Sequence, residues 1–314
     1  MAWCRVPAPP GAAGGETMQN VAIFWDPQGI ELDTLGKKKY LRVSDGDSPY
    51  ISMSIRMLSI DTPEVHYPVN TPPSRHDADL AQLADWIQDG EAAVEHGLGE
   101  HLRPKLATGS AGTLQEDQGM EAARYFKQLL AEKLTRPNGS KRDVFLRVAD
   151  RPFDQYGRLL AYMAPNYTAR ERETMTREER ATFNLMMVAS GWAAIFPIYP
   201  SLPRHADLMM IRDAAEEAYR AQRGAWADPM ALTGYEFRMC VRLYDITAKV
   251  LAGKRLSSSE RGAWISRYCA DMTSGEIFYP QEYHRVPPYN RVFIWPSDVP
   301  KAVAGMNLVP PRER

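Results

Sequence analysis

The chain has 314 residues, 44% hydrophobic and 25% charged, with a formal net charge of −1. This composition is ordinary for a globular protein with ample core, and the near-neutral charge argues against a tight, non-specific nucleic-acid binder. No apolar run approaches the roughly 18 residues of a membrane span, so no membrane association is expected.

The cysteines Cys4, Cys240 and Cys269 are few and widely scattered. They form neither a disulfide framework nor a CxxC metal motif, which favours free thiols. Residues 1–19 are rich in Pro, Gly and Ala and lack the apolar segment of a secretory signal. We therefore expect a disordered leader and, by default, a cytoplasmic protein, without excluding secretion.

Residues 20–64 are predicted to form strands at 21–25, 40–43 and 50–60. In the last of these, apolar and polar residues alternate, which is typical of a strand buried on one face and puts Arg56 on the polar face. The Asp45-Gly46-Asp47 sequence just before it is a hairpin signal.

The middle of the chain alternates between helical patterns and short strands. Residues 65–116 carry several prolines and glycines around one helical segment, 79–96, and we interpret them as an insertion. Gly191 is placed to end a helix, and the Tyr156-Gly157 pair marks a turn. The remaining predicted elements are helices 118–134, 180–190 and 206–222, strands 144–148 and 158–164, and a short strand ending at Tyr199.

Residues 229–314 read as a separate C-terminal extension with a helix at 235–252 and a serine-rich break at 257–259. Its basic residues are interleaved with aromatics, a pattern that can bind single-stranded nucleic acid. The favoured interpretation is amphipathic helices with core aromatics and a solvated basic face. The basic residues are Arg238, Arg242, Lys249, Lys254, Arg255, Arg261 and Arg267.

Two segments far apart in the chain combine carboxylates with arginines: 44–64, which reads SDGDSPYISMSIRMLSIDTPE, and 154–158, which reads DQYGR. Hard carboxylate and carbonyl oxygens suit Ca²⁺ or Mg²⁺, and guanidinium groups match phosphate oxygens bidentately. Together these groups predict a site that holds and hydrolyses a phosphodiester. Taken alone, the Asp45-Gly46-Asp47 sequence would indicate only an ordinary turn. A zinc site is not favoured, because the histidines lack the spacing of zinc-binding motifs.

The order of four motifs closely resembles the staphylococcal nuclease-like (thermonuclease) family: DGD, then RMLSIDTPE, then D-x-YGR-x-LAY, then N-x6-GWA. The resemblance covers about residues 20–64 and 117–228. It implies an α+β fold, a five-stranded OB-fold-type β-barrel packed with three helices. The domain would thus span 20–228, with a helical insertion at 65–116 and the C-terminal extension at 229–314 lying outside the match.

The same resemblance implies a Ca²⁺-dependent nuclease, an endonuclease acting on DNA, RNA or both, although another divalent cation could serve. The implied metal ligands are Asp47, Asp61 and the carbonyl of Thr62. Asp33 is a rival for the first of these, because the interval from Asp47 to Arg56 is short for a full hairpin.

In this assignment Arg56 and Arg158 grip the phosphate and Glu64 activates the attacking water. Tyr156 and Tyr199 would contact the nucleotide, and Gln155 stands where a lysine often contacts the terminal phosphate. The resemblance also gives Asn184 a structural role. The alternative is a catalytically silent nucleic-acid-binding or scaffold module of the same fold.

Overall fold

The computed structural model describes residues 38–154 and 156–311, without the side chains of residues 150 and 151. The predicted strand 21–25 and the residues Asp33 and Gln155 lie outside the described residues. The chain divides into two compact units, one ending at Ser52 and the other beginning at Met53.

The described strands are numbered in chain order. They are β1 (Tyr40–Val43), β2 (Pro49–Ile51), β3 (Ile55–Met57), β4 (Ser59–Asp61), β5 (Val144–Phe153), β6 (Leu159–Pro165), β7 (Ala194–Phe196), β8 (Ile198–Tyr199), β9 (Tyr268–Asp271), β10 (Ile277–Phe278) and β11 (Arg291–Ile294).

The described α-helices are numbered likewise. They are α1 (Asp77–Gln88), α2 (His96–Leu106), α3 (Ala111–Lys133), α4 (Ala169–Thr174), α5 (Phe183–Ala189), α6 (His205–Arg220), α7 (Gly234–Leu251), α8 (Ser258–Gly262) and α9 (Val299–Met306). Short 3-10 turns connect several of them, including Pro73–His76, Gly224–Ala227 and Pro280–Arg285.

The first unit contains the predicted hairpin. Strands β1 and β2 pair antiparallel on either side of the Asp45-Gly46-Asp47 turn. The guanidinium of Arg42 lies 3.7 Å from the ring centroid of Tyr50 across the pair. The prediction of a strand at 40–43 and of a turn after it is therefore confirmed.

The single strand predicted at 50–60 is wrong, because the chain breaks into β2, β3 and β4. Ser59 adopts a φ of 60°, a left-handed conformation that turns the chain between β3 and β4. As a result β3 pairs with β6, whereas β4 pairs antiparallel with β7. Leu58, which the alternation placed on the polar face, is buried.

Strand β6 lies at the centre of a sheet ordered β3-β6-β5, parallel to β3 and antiparallel to β5. Asn184, at the start of α5, is fully buried and ties this region together. Its amide nitrogen donates to the Leu58 carbonyl at 2.8 Å, and its oxygen accepts from the Met163 N–H at 3.0 Å. The structural role expected for this asparagine follows from these two bonds.

The α+β class is confirmed, and helices α3, α5 and α6 occupy the regions predicted for three helices. The described strands form sheets of two to four strands, and no closed barrel is found among residues 38–154 and 156–311. The five-stranded barrel is thus not confirmed. No helix in the described part of the chain is both long and apolar enough to cross a bilayer.

The insertion contains a helix that the sequence pattern missed. The predicted helix 79–96 ends early, at Gln88, and α2 follows in the glycine-punctuated stretch. Gly99 looked like a break, but a Cβ there would lie 3.0 Å from the Ile87 side chain. A glycine therefore lets α2 pack closely on α1.

The extension packs into the same core as the insertion. Phe237 of α7 and Tyr283 are fully buried in one cluster with Leu80 of α1 and Leu98 of α2. Strand β11 also pairs parallel with β8. This packing brings α7 against the segment that follows β4.

Candidate active site

Of the two predicted phosphate-binding arginines, Arg56 lies on β3 and Arg158 immediately precedes the neighbouring strand β6. Arg56 of β3 pairs in register with Leu160 of β6, and Arg158 precedes that residue by two positions. Alternate residues of a strand face the same side of a sheet, so Arg56 and Arg158 present their side chains on one face.

The turn before β6 fixes Arg158 through Asp154. The Asp154 carboxylate accepts the backbone N–H groups of Tyr156 (2.9 Å) and Arg158 (3.0 Å), and it also accepts from Arg158 Nε at 2.7 Å. Partial burial would raise the pKa of Asp154, but the backbone and side-chain hydrogen bonds from Arg158 outweigh it and hold that pKa below its usual value. Gly157 has a φ of 66°, which the turn requires.

Tyr156 is 68% exposed, and the Arg158 guanidinium lies 5.3 Å from its ring centroid. An exposed ring beside an arginine that is predicted to bind phosphate is suited to stack on a base. Tyr199 lies elsewhere, on β8, where it packs against an apolar cluster that includes Ile294 and Ala302. Tyr199 therefore belongs to a different sheet from β3 and β6, beside which the two arginines lie.

Asp61 ends β4 and is buried, with 1% of its side chain exposed. Its Oδ1 accepts from Arg56 Nη2 at 3.0 Å and from Arg238 Nη2 at 3.0 Å, and Oδ2 lies 3.2 Å from the same Arg238 nitrogen. Burial would raise the pKa of Asp61, but the charges of Arg238 and Arg56 outweigh it and lower that pKa. Asp61 is therefore held as a carboxylate between two guanidiniums.

Glu64 follows Pro63, with 22% of its side chain exposed, and its carboxylate accepts a hydrogen bond from Arg238 Nη1. Burial and the nearby charge of Asp61 raise the pKa of Glu64, against the opposing effect of Arg238. A carboxylate with a raised pKa is a better proton acceptor at neutral pH than an ordinary one.

Helix α3 supports the Glu64 backbone. Gln115, with its amide turned so that the oxygen faces Glu64, accepts from the Glu64 N–H at 2.7 Å and donates to the Leu232 carbonyl at 2.9 Å. A Cβ on Gly119 would lie 2.6 Å from the Glu64 carbonyl oxygen. The backbone of the predicted water-activating residue is thus fixed by close packing.

Arg238 of α7 is the site residue that the sequence interpretation missed. The prediction of a solvated basic face is wrong for this residue, because only 18% of its side chain is exposed. It lies in a stretch of α7 that is buried on almost every side, from Tyr235 to Val241. An arginine within such an apolar stretch is a signal of a buried, paired charge.

The expected cation ligands do not form an open site in this arrangement. The Asp61 carboxylate is bonded to Arg56 and Arg238, and a Cβ on Gly234 would lie 2.4 Å from the Thr62 carbonyl oxygen and 2.8 Å from Asp61 Oδ2. The Gly234 backbone and the Arg238 guanidinium thus fill the space in front of the Thr62 carbonyl and the Asp61 carboxylate. The donors are of the type that Ca²⁺ prefers, but as arranged they do not fit an ion.

The third expected ligand, Asp47, lies exposed on the β1–β2 turn, where its Oδ1 accepts from Ser48 Oγ at 3.0 Å. It belongs to the first compact unit, whereas Asp61 belongs to the second. Its pairing with Asp61 stays a prediction, as does the alternative, Asp33. Within the described part of the chain, no three His, Cys, Asp or Glu side chains group in a way that could hold a metal ion.

A groove of about 840 Å³ adjoins the sheet face that carries the arginines. Tyr162 of β6 lines it four residues after Arg158, and Leu58 lines it two residues after Arg56, in the turn between β3 and β4. Among the described residues of its wall, Asp207 is the one acidic side chain. The arginines that line it are Arg147, Arg172, Arg177, Arg180 and Arg204.

Comparison with known families agrees with the motif order. The family model described as staphylococcal nuclease homologue matches residues 54–228, which is more than half of the chain. This range includes Arg56, Asp61, Glu64 and Arg158 and ends before α7. A search of curated proteins finds no matching relative.

Proposed function

Since the chain belongs to the staphylococcal nuclease homologue family, we propose that it hydrolyses phosphodiester bonds of nucleic acid, as an endonuclease on DNA, RNA or both. The observation that carries the proposal is the shared face of Arg56 and Arg158, with Asp61 and Glu64 close to Arg56.

The two guanidiniums supply the charge that the reaction needs. Arg56 and Arg158 donate to the non-bridging phosphate oxygens and stabilise the negative charge that grows as water attacks phosphorus. Asp61 orients Arg56 through its 3.0 Å bond, and Asp154 orients Arg158 through its 2.7 Å bond. Both arginines are therefore positioned before substrate arrives.

Glu64 is the proton acceptor of the proposed reaction. Its carboxylate takes one proton from the attacking water, the water oxygen forms the new bond to phosphorus, and a phosphorus–oxygen ester bond breaks. The leaving alkoxide takes its proton from solvent. Glu64 must first leave Arg238, which binds the same carboxylate. The family resemblance implies Ca²⁺ as cofactor, but the observed arrangement of Asp61 and Thr62 does not admit the ion.

The arginine-lined groove supports a polymeric substrate. Its five arginines face one acidic residue, Asp207, among the described wall residues, and Tyr167 and Phe145 add aromatic surface. Arginines beside aromatic rings are the combination that binds single strands through phosphates and stacked bases. A chain gripped there would continue from the phosphate held by Arg56 and Arg158.

The proposal is tested with purified protein on single- and double-stranded DNA and RNA, in EDTA and with a series of divalent cations. We expect cleavage with at least one cation, with Ca²⁺ as the first to try. Glu64→Gln should lower turnover by about 10²–10⁴-fold, because it removes the proton acceptor. Glu91→Gln, at an exposed position, is the matched control and should be as active as the parent. No cleavage of any substrate under any condition would reject the proposal.

The second candidate is a nucleic-acid-binding module without catalytic activity. One observation favours it: the Arg238 guanidinium donates hydrogen bonds to the carboxylates of both Asp61 and Glu64. Nucleic-acid binding that persists undiminished in EDTA, with no cleavage, would select this alternative.

A further inference from the structure

Arg238 brings a permanent positive charge to the point where the two site carboxylates meet. Its Nη1 donates to Glu64, and its Nη2 lies 3.0 and 3.2 Å from the two oxygens of Asp61. The side chain of an arginine is effectively always protonated, so Arg238 carries a positive charge at this point. One guanidinium thus satisfies both carboxylates, as a divalent cation would.

The backbone of α7 also covers the oxygen atoms that the family resemblance assigns to the cation. Gly234, the first residue of the helix, lies so close to the segment after β4 that a Cβ would approach the Thr62 carbonyl oxygen to 2.4 Å. The same Cβ would be 3.1 Å from Arg238 Nη1. A glycine here therefore permits α7 to cover the carbonyl that the family resemblance assigns to the cation.

Helix α7 is anchored in this position by contacts remote from Asp61. Thr233 and Glu236 form a reciprocal cap at its start. The buried Glu236 carboxylate also binds His101 at 3.0 Å and the Tyr283 hydroxyl at 3.1 Å. Phe237 is fully buried. The helix is thus held by both the insertion and the far end of the extension, and the extension lies outside the matched residues 54–228.

We propose that α7 closes the cation site of the nuclease domain, with Arg238 as a tethered internal cation in place of a divalent ion. Ion binding at Asp61 and the Arg238 contacts then exclude each other. We call the form without the Arg238 contacts the open form. If the ion binds only this form, its apparent affinity is its intrinsic affinity multiplied by the fraction of molecules that are open. The closure of the site does not depend on the proposed function. Only its expected consequence, the suppression of cleavage, rests on that function.

The test measures Ca²⁺ binding by calorimetry and by Tb³⁺ luminescence, so its readout is independent of cleavage. We expect Arg238→Gln to bind Ca²⁺ at least about 10-fold more tightly than the parent, and Arg238→Lys to fall between them. Adding Asp61→Asn to Arg238→Gln should abolish the gain. Arg242→Gln is the matched control, because Arg242 is exposed one turn later on α7 and bonds Tyr67 instead. Equal Ca²⁺ affinity in parent and Arg238→Gln would overturn the proposal, as would the absence of binding by a folded Arg238→Gln at millimolar Ca²⁺.

A measurement on the parent protein covers the case in which Arg238→Gln fails to fold. If the ion and Arg238 compete, millimolar Ca²⁺ should increase hydrogen exchange in the first turns of α7 while leaving α3 unchanged. Exchange in α7 that does not respond to Ca²⁺ would then overturn the proposal. Tight binding by Arg238→Gln without cleavage would instead reject the proposed function and leave the closure intact.

Discussion

The Nε atom of Arg158 lies 2.7 Å from Oδ2 of Asp154, four residues earlier in the chain. The other oxygen of the same carboxylate accepts the backbone N–H of Arg158 at 3.0 Å. One acidic side chain therefore fixes both the backbone and the guanidinium of a residue that we propose to bind phosphate. Asp154 touches no reacting atom in the proposed reaction and is a positioning residue.

Asp154→Asn should lower kcat/KM about 10-fold. The amide oxygen can still accept the two backbone N–H groups, but the charge-assisted bond to Arg158, worth about 1.5–3 kcal/mol, is weakened. Steady-state kinetics on an oligonucleotide tests this, with Asp117→Asn at an exposed position of α3 as control. Because the role is positional, Asp154→Glu should restore part of the loss; a drop equal to that of Arg158→Ala would contradict it.

Arg56→Lys and Arg158→Lys should each lower turnover by about 10²-fold or more. An ammonium group keeps the charge but cannot donate in parallel to two phosphate oxygens, and loss of one transition-state donor typically costs about 10²–10³-fold. Single-turnover kinetics with circular dichroism as a check on folding measures this. Arg255→Lys, at an exposed position of the extension, is the control. Retention of parental activity by both variants would show that neither arginine holds the reacting phosphate.

The groove arginines should contribute to affinity by neutralising phosphates. The double variant Arg172→Gln, Arg204→Gln should bind single-stranded DNA more weakly, and the slope of log affinity against log salt should fall by about 0.7 for each phosphate that is no longer neutralised. Fluorescence anisotropy over a salt series measures both. The control is the double variant Arg255→Gln, Arg261→Gln, which removes two exposed arginines of the extension. Equal slopes for the two double variants would mean that the nucleic acid does not enter the groove.

Glu236 should make the packing of α7 sensitive to acid. Burial would raise the pKa of its carboxyl, but Lys105, His101 and Arg291 outweigh this and hold the pKa well below its usual range. A carboxylate with a depressed folded-state pKa stabilises the protein above its unfolded pKa of about 4.3, and this contribution is lost as pH falls toward the folded-state value.

Glu236→Gln should accordingly reduce the free energy of unfolding by about 3–5 kcal/mol at neutral pH, because it leaves buried cations without their partner. Urea denaturation at neutral pH and in mild acid tests this, and the difference from the parent should shrink in acid. Glu260→Gln is the control, since Glu260 occupies the same capping position on α8 but is exposed. A difference that grows in acid would contradict the sign of the shift.

Local patterns predicted the helices best. The stripe at 118–134 overlaps α3, although that helix begins seven residues earlier, at Ala111, and Gly191, with a φ of 77°, follows α5 as the glycine signal indicated. Patterns that depend on partners were less reliable. The alternation at 50–60 looked like one strand, but its segments pair with different strands, and Ser59 turns the chain between β3 and β4.

The sequence by itself determined the motif order, and with it the family and the likeness of Arg56, Asp61, Glu64 and Arg158 to a phosphodiesterase site. Short-range spacing carries that information, because these residues occupy fixed positions along strands and turns. Only the tertiary structure decided that Arg238 reaches Asp61, 177 residues away in the chain. That contact depends on burial of α7 between the insertion and the last part of the extension, and no local pattern encodes which distant carboxylate a buried charge will meet.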